Sequence, residues 1–540
     1  MKNSLFPDKR LADWVVPVGL FLGVFFLVGT TISDYGLTWD EPSYFHASDL
    51  HVRWLADLGK NLFNGQIDKN LQDKTLTAAW HWDPYHIPHP PFSRILSGLT
   101  KALFSPVMDK FTAYRLAPAL FFALLVTVMY LWMAQLFTRI TGLFSAVTLV
   151  LMPNLFGFAH FAVTDMPLTV MWFLTVYCFW KGLKDWRWSL VLGLVWGLAL
   201  ATKFPAFLIP IPLLLWAHLY HRHSYHNNVF AMSFFSPIVM ISVQPYLWHK
   251  TLPRLVMFLY DSVSRGFQRE TNFTIFFLHN TYTSSTVPWY YPFFMTVVTI
   301  PAVVLLFCLV GAVAMPRIKP QGVAMILFFL NAMFILVIGL FPGAVLHDIN
   351  RLLLPVLPFL AGLAGCGFFV LVRLLTEQCQ TVAYLQRVRH LPEKLIGLAF
   401  LVAVFLPALD LLTYHPYELS YYNRLIGGIR GAYQRGLEVT YFMDALTPDF
   451  LRFLNKNLPH NAIINASFAN GMFDYYQKEG LLRPDFKFTG NGNFDYYVLV
   501  SRQSAFSKGE RARFYTAHPR YAVRLAGVPL VSVYKAKASD

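Results

Sequence analysis

Long apolar runs separated by short basic stretches dominate the pattern of this chain. A helix that crosses a bilayer needs about 20 mostly apolar residues. Eleven runs fit: 12–32, 115–137, 142–160, 166–181, 188–203, 204–220, 228–246, 291–315, 321–342, 352–374 and 395–413. The pair that meets at Lys203–Phe204–Pro205 also fits a re-entrant segment. Lys2, Lys9 and Arg10 precede the first run with no small-residue cleavage site after it, so it reads as an uncleaved span. Between the runs, Arg139, then Lys181, Lys184 and Arg187, then Arg222, then Arg317 and Lys319, then Arg373, Arg387, Arg389 and Lys394 fall on one side. The positive-inside rule makes that side cytoplasmic, together with the N-terminus.

Three segments then face the periplasm: the loop 33–114, the loop 247–290 and the tail 415–540. The second loop opens on an amphipathic stretch, "PRLVMFLYDSVSRGF". The tail changes character. Helix-like "LTPDFLRFLNKN" is followed by strand-like "AIINASF" and "YYVLVSR", then by "YAVRLAG" and "PLVSVYKA" around a Gly–Val–Pro turn. The expected organisation is a transmembrane domain, 1–414, with a small soluble α/β domain, 415–540.

Composition agrees with the pattern. The chain is 56% hydrophobic and 14% charged, whereas soluble domains carry about 25% charged residues. The net charge of +15 fits cationic cytoplasmic loops better than a nucleic-acid partner. Cys178, Cys308, Cys366 and Cys379 are scattered without metal spacing or a disulfide framework.

Five polar sites on the periplasmic side stand out, because charge beside lipid is costly and commonly functional. The first is Asp40–Glu41–Pro42. Thr38-x-x-Glu41 matches a capping box and Pro42 suits a first helical turn; a carboxylate there also suits deprotonation of a hydroxyl or amine. The second is Asp165 in "TDMPL", either a helix cap or a functional acid. The third is "WHWDPYHIPHPPFSR". Its histidines, His81, His86 and His89, do not share a helix face because Pro88, Pro90 and Pro91 forbid one, so a rigid loop carrying His89 and Arg94 toward an anion is favoured over a metal site. The fourth is "HDINRLLLPVLPF", with His347 and with Arg351 as a phosphate clamp or a snorkelling cation. The fifth is the second loop, with Arg265, Arg269, His279 and the aromatic "PWYYP".

The order of these motifs resembles the polytopic lipid-dependent glycosyltransferases of the C superfamily (GT-C). It is most similar to family 39, the dolichyl-phosphate-mannose–protein mannosyltransferases and their bacterial relatives, with the lipid A aminoarabinose transferases as cousins. "HPYELSYYNRLIGG" and "EVTYF" also look like stretches of bacterial members. The resemblance implies a GT-C fold and a polyprenyl-phosphate sugar donor. It implies inverting transfer to a periplasmic lipid, glycan or protein, with no cofactor and no metal. Asp40 would be the catalytic base, Glu41 its partner and Asp165 the second acid. His89, Arg94, Lys203, Arg265, Arg269, His347 and Arg351 are the candidates for the donor phosphate. A transporter or flippase of a lipid-linked sugar is the competing reading; it would place its ionisable groups near mid-membrane.

Overall fold

The computed structural model describes residues 9–81, 89–268, 274–341, 344, 346–381, 391–490 and 492–536. Every expected span contains helix, and the chain is a multi-pass membrane protein. Among the described residues, five helices are long and apolar enough to cross a bilayer: Trp14–Asp34, Lys110–Leu136, Gln321–Ile338, Leu354–Glu377 and Glu393–Tyr414. A bent pair, Tyr291–Val298 with Ala302–Arg317, adds a sixth.

The expectation of eleven uninterrupted spans needs correction where proline intervenes. The run 142–160 divides into Arg139–Val150 and Pro153–Phe158, because Pro153 has no N–H to continue the ladder and biases Met152 out of the helical region. The run 291–315 turns by 118° between its two helices, with Pro301 at the break. Around Lys203 the helix Trp186–Leu200 ends, and a short 3₁₀ turn, Phe204–Leu208, leads into Pro210–Tyr220. The amphipathic stretch of the second loop lies in the helix Thr251–Gln268.

Small residues set the closest helix contacts, as expected where lipid gives no hydrophobic drive between helices. A Cβ on Gly311 would stand 2.0 Å from the Leu363 carbonyl oxygen, and one on Gly367 would stand 1.9 Å from that of Phe307. Ala302–Ala314 and Leu357–Thr381 therefore pack backbone to backbone. Buried polar groups are paired across helices: Trp172 Nε1 donates to Asn331 Oδ1 at 3.1 Å.

The second loop carries a small hairpin, β1 (Ile275–Phe277) with β2 (Asn280–Tyr282). The tail forms a mixed five-stranded sheet. Its strands are β3 (Ile463–Asn465), β4 (Lys487–Phe488), β5 (Tyr496–Val500), β6 (Tyr521–Leu525) and β7 (Val528–Lys535), in the order β4-β3-β5-β7-β6. β3 runs parallel to β4 and β5, whereas β7 is antiparallel to β5 and β6. The turn before β7 is Ala526–Gly527, both at positive φ (47° and 84°), which matches the twist of the flanking strands. Val528 and Pro529 already belong to β7, so the expected Gly–Val–Pro turn is displaced toward the N-terminus. Tyr421, Tyr422, Ile429, Val439 and Phe442 pack in the core of the helical bundle. Leu446, Phe450, Leu454, Ile464, Val498 and Val531 form a second core together with Leu37, Phe45, Tyr114 and Ala162. The bundle's core thus extends past residue 414 before the sheet domain begins.

Candidate active site

Two adjacent carboxylates after the first helix take opposite roles. Glu41 is fully buried and faces into the protein. Its carboxylate accepts from Arg115 Nε and Nη2, both at 2.7 Å, from the Ala162 amide at 2.9 Å and from the Thr38 amide at 2.9 Å. The Thr38 contact is half of the expected capping box. Arg115 in turn donates to the carbonyls of Tyr35 and Gly36 at 3.2 and 2.7 Å. This pair ties the end of the first helix, the start of the helix Glu41–Phe63 and the segment before Asp165 into one unit. The expectation of Glu41 as a catalytic acid is corrected by this placement, because every oxygen is held by structural donors.

Asp40 is different. It precedes the helix Glu41–Phe63 but makes no side-chain cap, which leaves its carboxylate for tertiary contacts. Arg351 Nη1 donates to Asp40 Oδ2 at 2.9 Å. Asp165 likewise opens the helix Asp165–Gly182 without capping it. Lys203, held in the bend after Leu200, donates to Asp165 Oδ1 at 2.7 Å. Neither Asp40 nor Asp165 therefore caps its helix, although the Thr38–Glu41 contact and Pro42 in the first turn keep part of the capping expectation for the first motif.

The two ion pairs share one electrostatic site. Burial raises the Asp40 carboxyl above the usual aspartate range, Arg351 opposes that rise, and the charge on Asp165 reinforces it. The Tyr44 hydroxyl feels the charges of both acids. Burial raises it well above the ordinary phenol, helped by Asp40 and Asp165 and opposed by Arg351 and Arg94. The Arg94 guanidinium lies 6.0 Å from the Tyr44 ring and the His89 ring lies 6.2 Å from it. Arg94 also donates to the His89 carbonyl, so it braces the proline-rich loop.

A second layer holds Arg351. Its guanidinium sits 4.7 Å over the Phe442 ring. Phe442 and Met443 are non-glycine residues in the left-handed region, with φ of 61° and 68°, a conformation that costs about 1–2 kcal/mol per residue and clusters at functional sites. The Phe442 carbonyl accepts from the Trp39 amide at 3.2 Å, which places this strap directly against Asp40. On the other flank, Asp348 (φ 50°) pairs with Arg502 of the sheet domain at 3.1 Å. Burial acts to raise the Asp348 carboxyl, but Arg502, His347 and Arg351 together hold it below the usual range. His347 is buried beside it.

Residues 88–249 match a family described as dolichyl-phosphate-mannose-protein mannosyltransferase. No curated protein sequence matches the chain. Crystal structures of ArnT from Cupriavidus metallidurans align over nearly the whole length. The one bound to undecaprenyl phosphate has a TM-score of 0.50 and 13% identity, over 98% of this chain and 99% of that one. The apo form has a TM-score of 0.50 and 14% identity, over 97% and 98%. An Archaeoglobus fulgidus oligosaccharyltransferase aligns at 0.42 and 13%, over 88% of this chain and 58% of its own.

The chain has the GT-C fold.

The resemblance read from the motifs is thereby matched, and the family segment contains His89, Arg94, Arg115, Asp165 and Lys203. Within this GT-C bundle, Asp40, Asp165, Lys203 and Arg351 come together from distant parts of the sequence, with Arg94 and His89 adjoining through Tyr44. The side chains of two expected phosphate ligands are not among those described. Arg269 lies outside the described residues, and Arg265 is placed only as a position in the helix Thr251–Gln268. Of the histidines weighed for metal, His81 stacks on Tyr246 at 4.4 Å and His86 lies outside the described residues. Among the described residues, no group of three or more His, Cys, Asp or Glu is arranged to hold a metal.

The motif reading missed Arg115, Tyr44, Phe442 and Arg502. Arg115 carried a signal, a lone cation in the first turn of an apolar run. Phe442 lies inside "EVTYF", noticed only for its resemblance. Tyr44 and Arg502 had no distinguishing pattern.

Proposed function

We propose that this protein is a membrane glycosyltransferase that moves a sugar from a polyprenyl-phosphate donor to a periplasmic acceptor, with Asp40 as the base. The observation that carries the proposal is Asp40 itself. It is a partly buried, uncapped carboxylate of raised proton affinity, 2.9 Å from an arginine and beside a second acid–lysine pair. The GT-C fold and the bound undecaprenyl phosphate of the ArnT crystal structure support the choice of donor.

In this reading, the acceptor's nucleophile gives its proton to Asp40 as it forms a bond to the anomeric carbon. The bond from that carbon to the phosphate oxygen breaks on the opposite face, so configuration inverts. A carboxylate of raised pKa is the better proton acceptor near neutral pH. Negative charge develops on the leaving phosphate, and Arg351 and Lys203 are the nearest cations to receive it. The 2.9 Å contact between Asp40 and Arg351 leaves no room for a sugar between base and leaving group. Donor binding therefore separates the pair: the phosphate draws Arg351 off Asp40 and frees the carboxylate. Asp165 orients the acceptor and keeps Lys203 in place. The reading uses no metal or other cofactor, and it places this face on the periplasmic side of a bacterial inner membrane.

A transporter would put its ionisable groups near mid-membrane. Here they lie at helix ends, with Asp40 and Asp165 at helix starts and Lys203 in a bend. The test is reconstitution of purified protein with radiolabelled polyprenyl-phosphate sugars and membrane acceptors. Wild type is expected to transfer label, and a folded Asp40→Asn variant is not. Undiminished transfer by Asp40→Asn removes Asp40 as the base.

A further inference from the structure

The helix Thr251–Gln268 is inside out for a helix in water. Its exposed large side chains are Leu252, Val256, Met257, Tyr260 and Val263, at 70, 58, 60, 68 and 57% exposure. Within residues 251–264, whose side chains are described, Pro253 completes an exposed set of six uncharged residues. The polar residues turn the other way. Arg254 is buried, and Thr251, Asp261, Ser262 and Ser264 are half-buried. A helix bordering water presents the reverse arrangement. Leu252, Val256, Tyr260 and Val263 recur at three- and four-residue spacing, so they form one stripe.

The inward face is firmly anchored. Arg254 Nη1 donates to the Tyr246 carbonyl at 2.6 Å, its guanidinium lies 3.9 Å over the Tyr246 ring, and it pairs with Asp73. Phe258 meets Phe207 at 6.3 Å, where the segment Phe204–Tyr220 begins. The neighbouring helices also expose apolar side chains, Ile211, Leu215, Phe234 and Ile238, and Trp248 is exposed in the turn that precedes this helix. At the helix's N-terminal end, Lys250 is 62% exposed and pairs with Asp73 at 3.5 Å.

We propose that this helix lies in the membrane interface on the Asp40 side of the bundle, with the stripe Leu252–Val256–Tyr260–Val263 seated among phospholipid acyl chains. Two observations select lipid as the occupant: the reversed polarity of the helix, and the exposed apolar side chains on the neighbouring membrane helices. The Arg254–Asp73 pair then links the lipid-seated helix to the helix Asp73–Trp80 of the first loop, which runs into the proline-rich segment before His89. The two loops would move as one body against the bilayer.

Single cysteines introduced as Val256→Cys, Tyr260→Cys and Ser262→Cys, labelled with an environment-sensitive fluorophore in full-length protein in phosphatidylcholine–phosphatidylglycerol nanodiscs, test this. The signal is read against the parent without an added cysteine. Labels at 256 and 260 are expected to be quenched several-fold more by shallow nitroxide lipids than by aqueous cobalt ions, with no such preference at 262. Equal or greater quenching by cobalt at 256 and 260 overturns the proposal. So does shielding from both quenchers together with cross-linking between two copies at 260, which would make a second copy the occupant. The readout does not involve sugar transfer, so it stands or falls separately from the proposed activity.

Discussion

Glu41 and Asp40 are neighbours in sequence, yet their removal should fail in different ways. Glu41→Ala deletes a carboxylate that is fully buried and holds Arg115 through two contacts of 2.7 Å. Arg115 is itself only 2% exposed, so the guanidinium would be left without its counter-ion. Breaking a buried pair by removing one partner costs about 3–5 kcal/mol. Two backbone amides, Thr38 and Ala162, lose their acceptor as well. The structure therefore predicts that Glu41→Ala gives a markedly lower unfolding temperature, or little folded protein, in detergent-purified samples. Asp40→Asn removes one contact at a partly exposed position. It should leave folded yield and unfolding temperature close to wild type, while transfer falls by roughly 100-fold to 10,000-fold, the usual contribution of a general base. Thermal unfolding followed by intrinsic fluorescence, paired with the reconstituted transfer assay, separates the two. A Glu41→Ala protein of wild-type stability without activity, beside an active Asp40→Asn, would refute the division of roles.

Further outcomes follow from the same geometry. The base must be ionised to act, and Asp40 titrates above the ordinary aspartate value of about 3.9, so transfer should decline as pH falls through that raised value; a rate unchanged down to about pH 4 would contradict it. Phe442→Ala takes away the ring 4.7 Å beneath Arg351, worth about 1–2 kcal/mol for a desolvated cation, and should weaken donor use about 5-fold to 30-fold, with Phe442→Tyr restoring it. Glu438 is buried and its carboxyl is pushed up from 4.5 to about 7, chiefly by burial. Its folded form holds the proton more tightly than the unfolded chain does, so this stabilisation, roughly 3 kcal/mol at 1.36 kcal/mol per pH unit, is present below pH about 4.5 and lost as pH rises through about 7. Unfolding midpoints measured from pH 5 to 8 should show that decline, and Glu438→Gln should flatten it.

How much was legible beforehand depends on the range of the interaction. Apolar runs and the strand-like stretches of the tail are local signals, and each produced an element close to its expected place, whereas the breaks at Pro153 and Pro301 fell inside runs that read as continuous. Lys203 marked the boundary between two apolar runs and became a phosphate candidate only through the family resemblance. Arg115 was a lone cation in an apolar run, but nothing nearby in the sequence announced its partner 74 residues away. Phe442 and Arg502 were beyond reach, since their meaning lies in contacts with Arg351 and Asp348, residues distant in the sequence.

The sequence by itself determined a bundle of membrane helices, a soluble α/β tail and the candidates for an acidic site, because burial in lipid imposes a composition that can be read residue by residue. It also brought Asp40 and Glu41 forward together, without separating them. Only the tertiary structure decided between the two. Side chains one residue apart at a helix start point to different faces, so Glu41 meets Arg115 inside the protein while Asp40 meets Arg351 across the site.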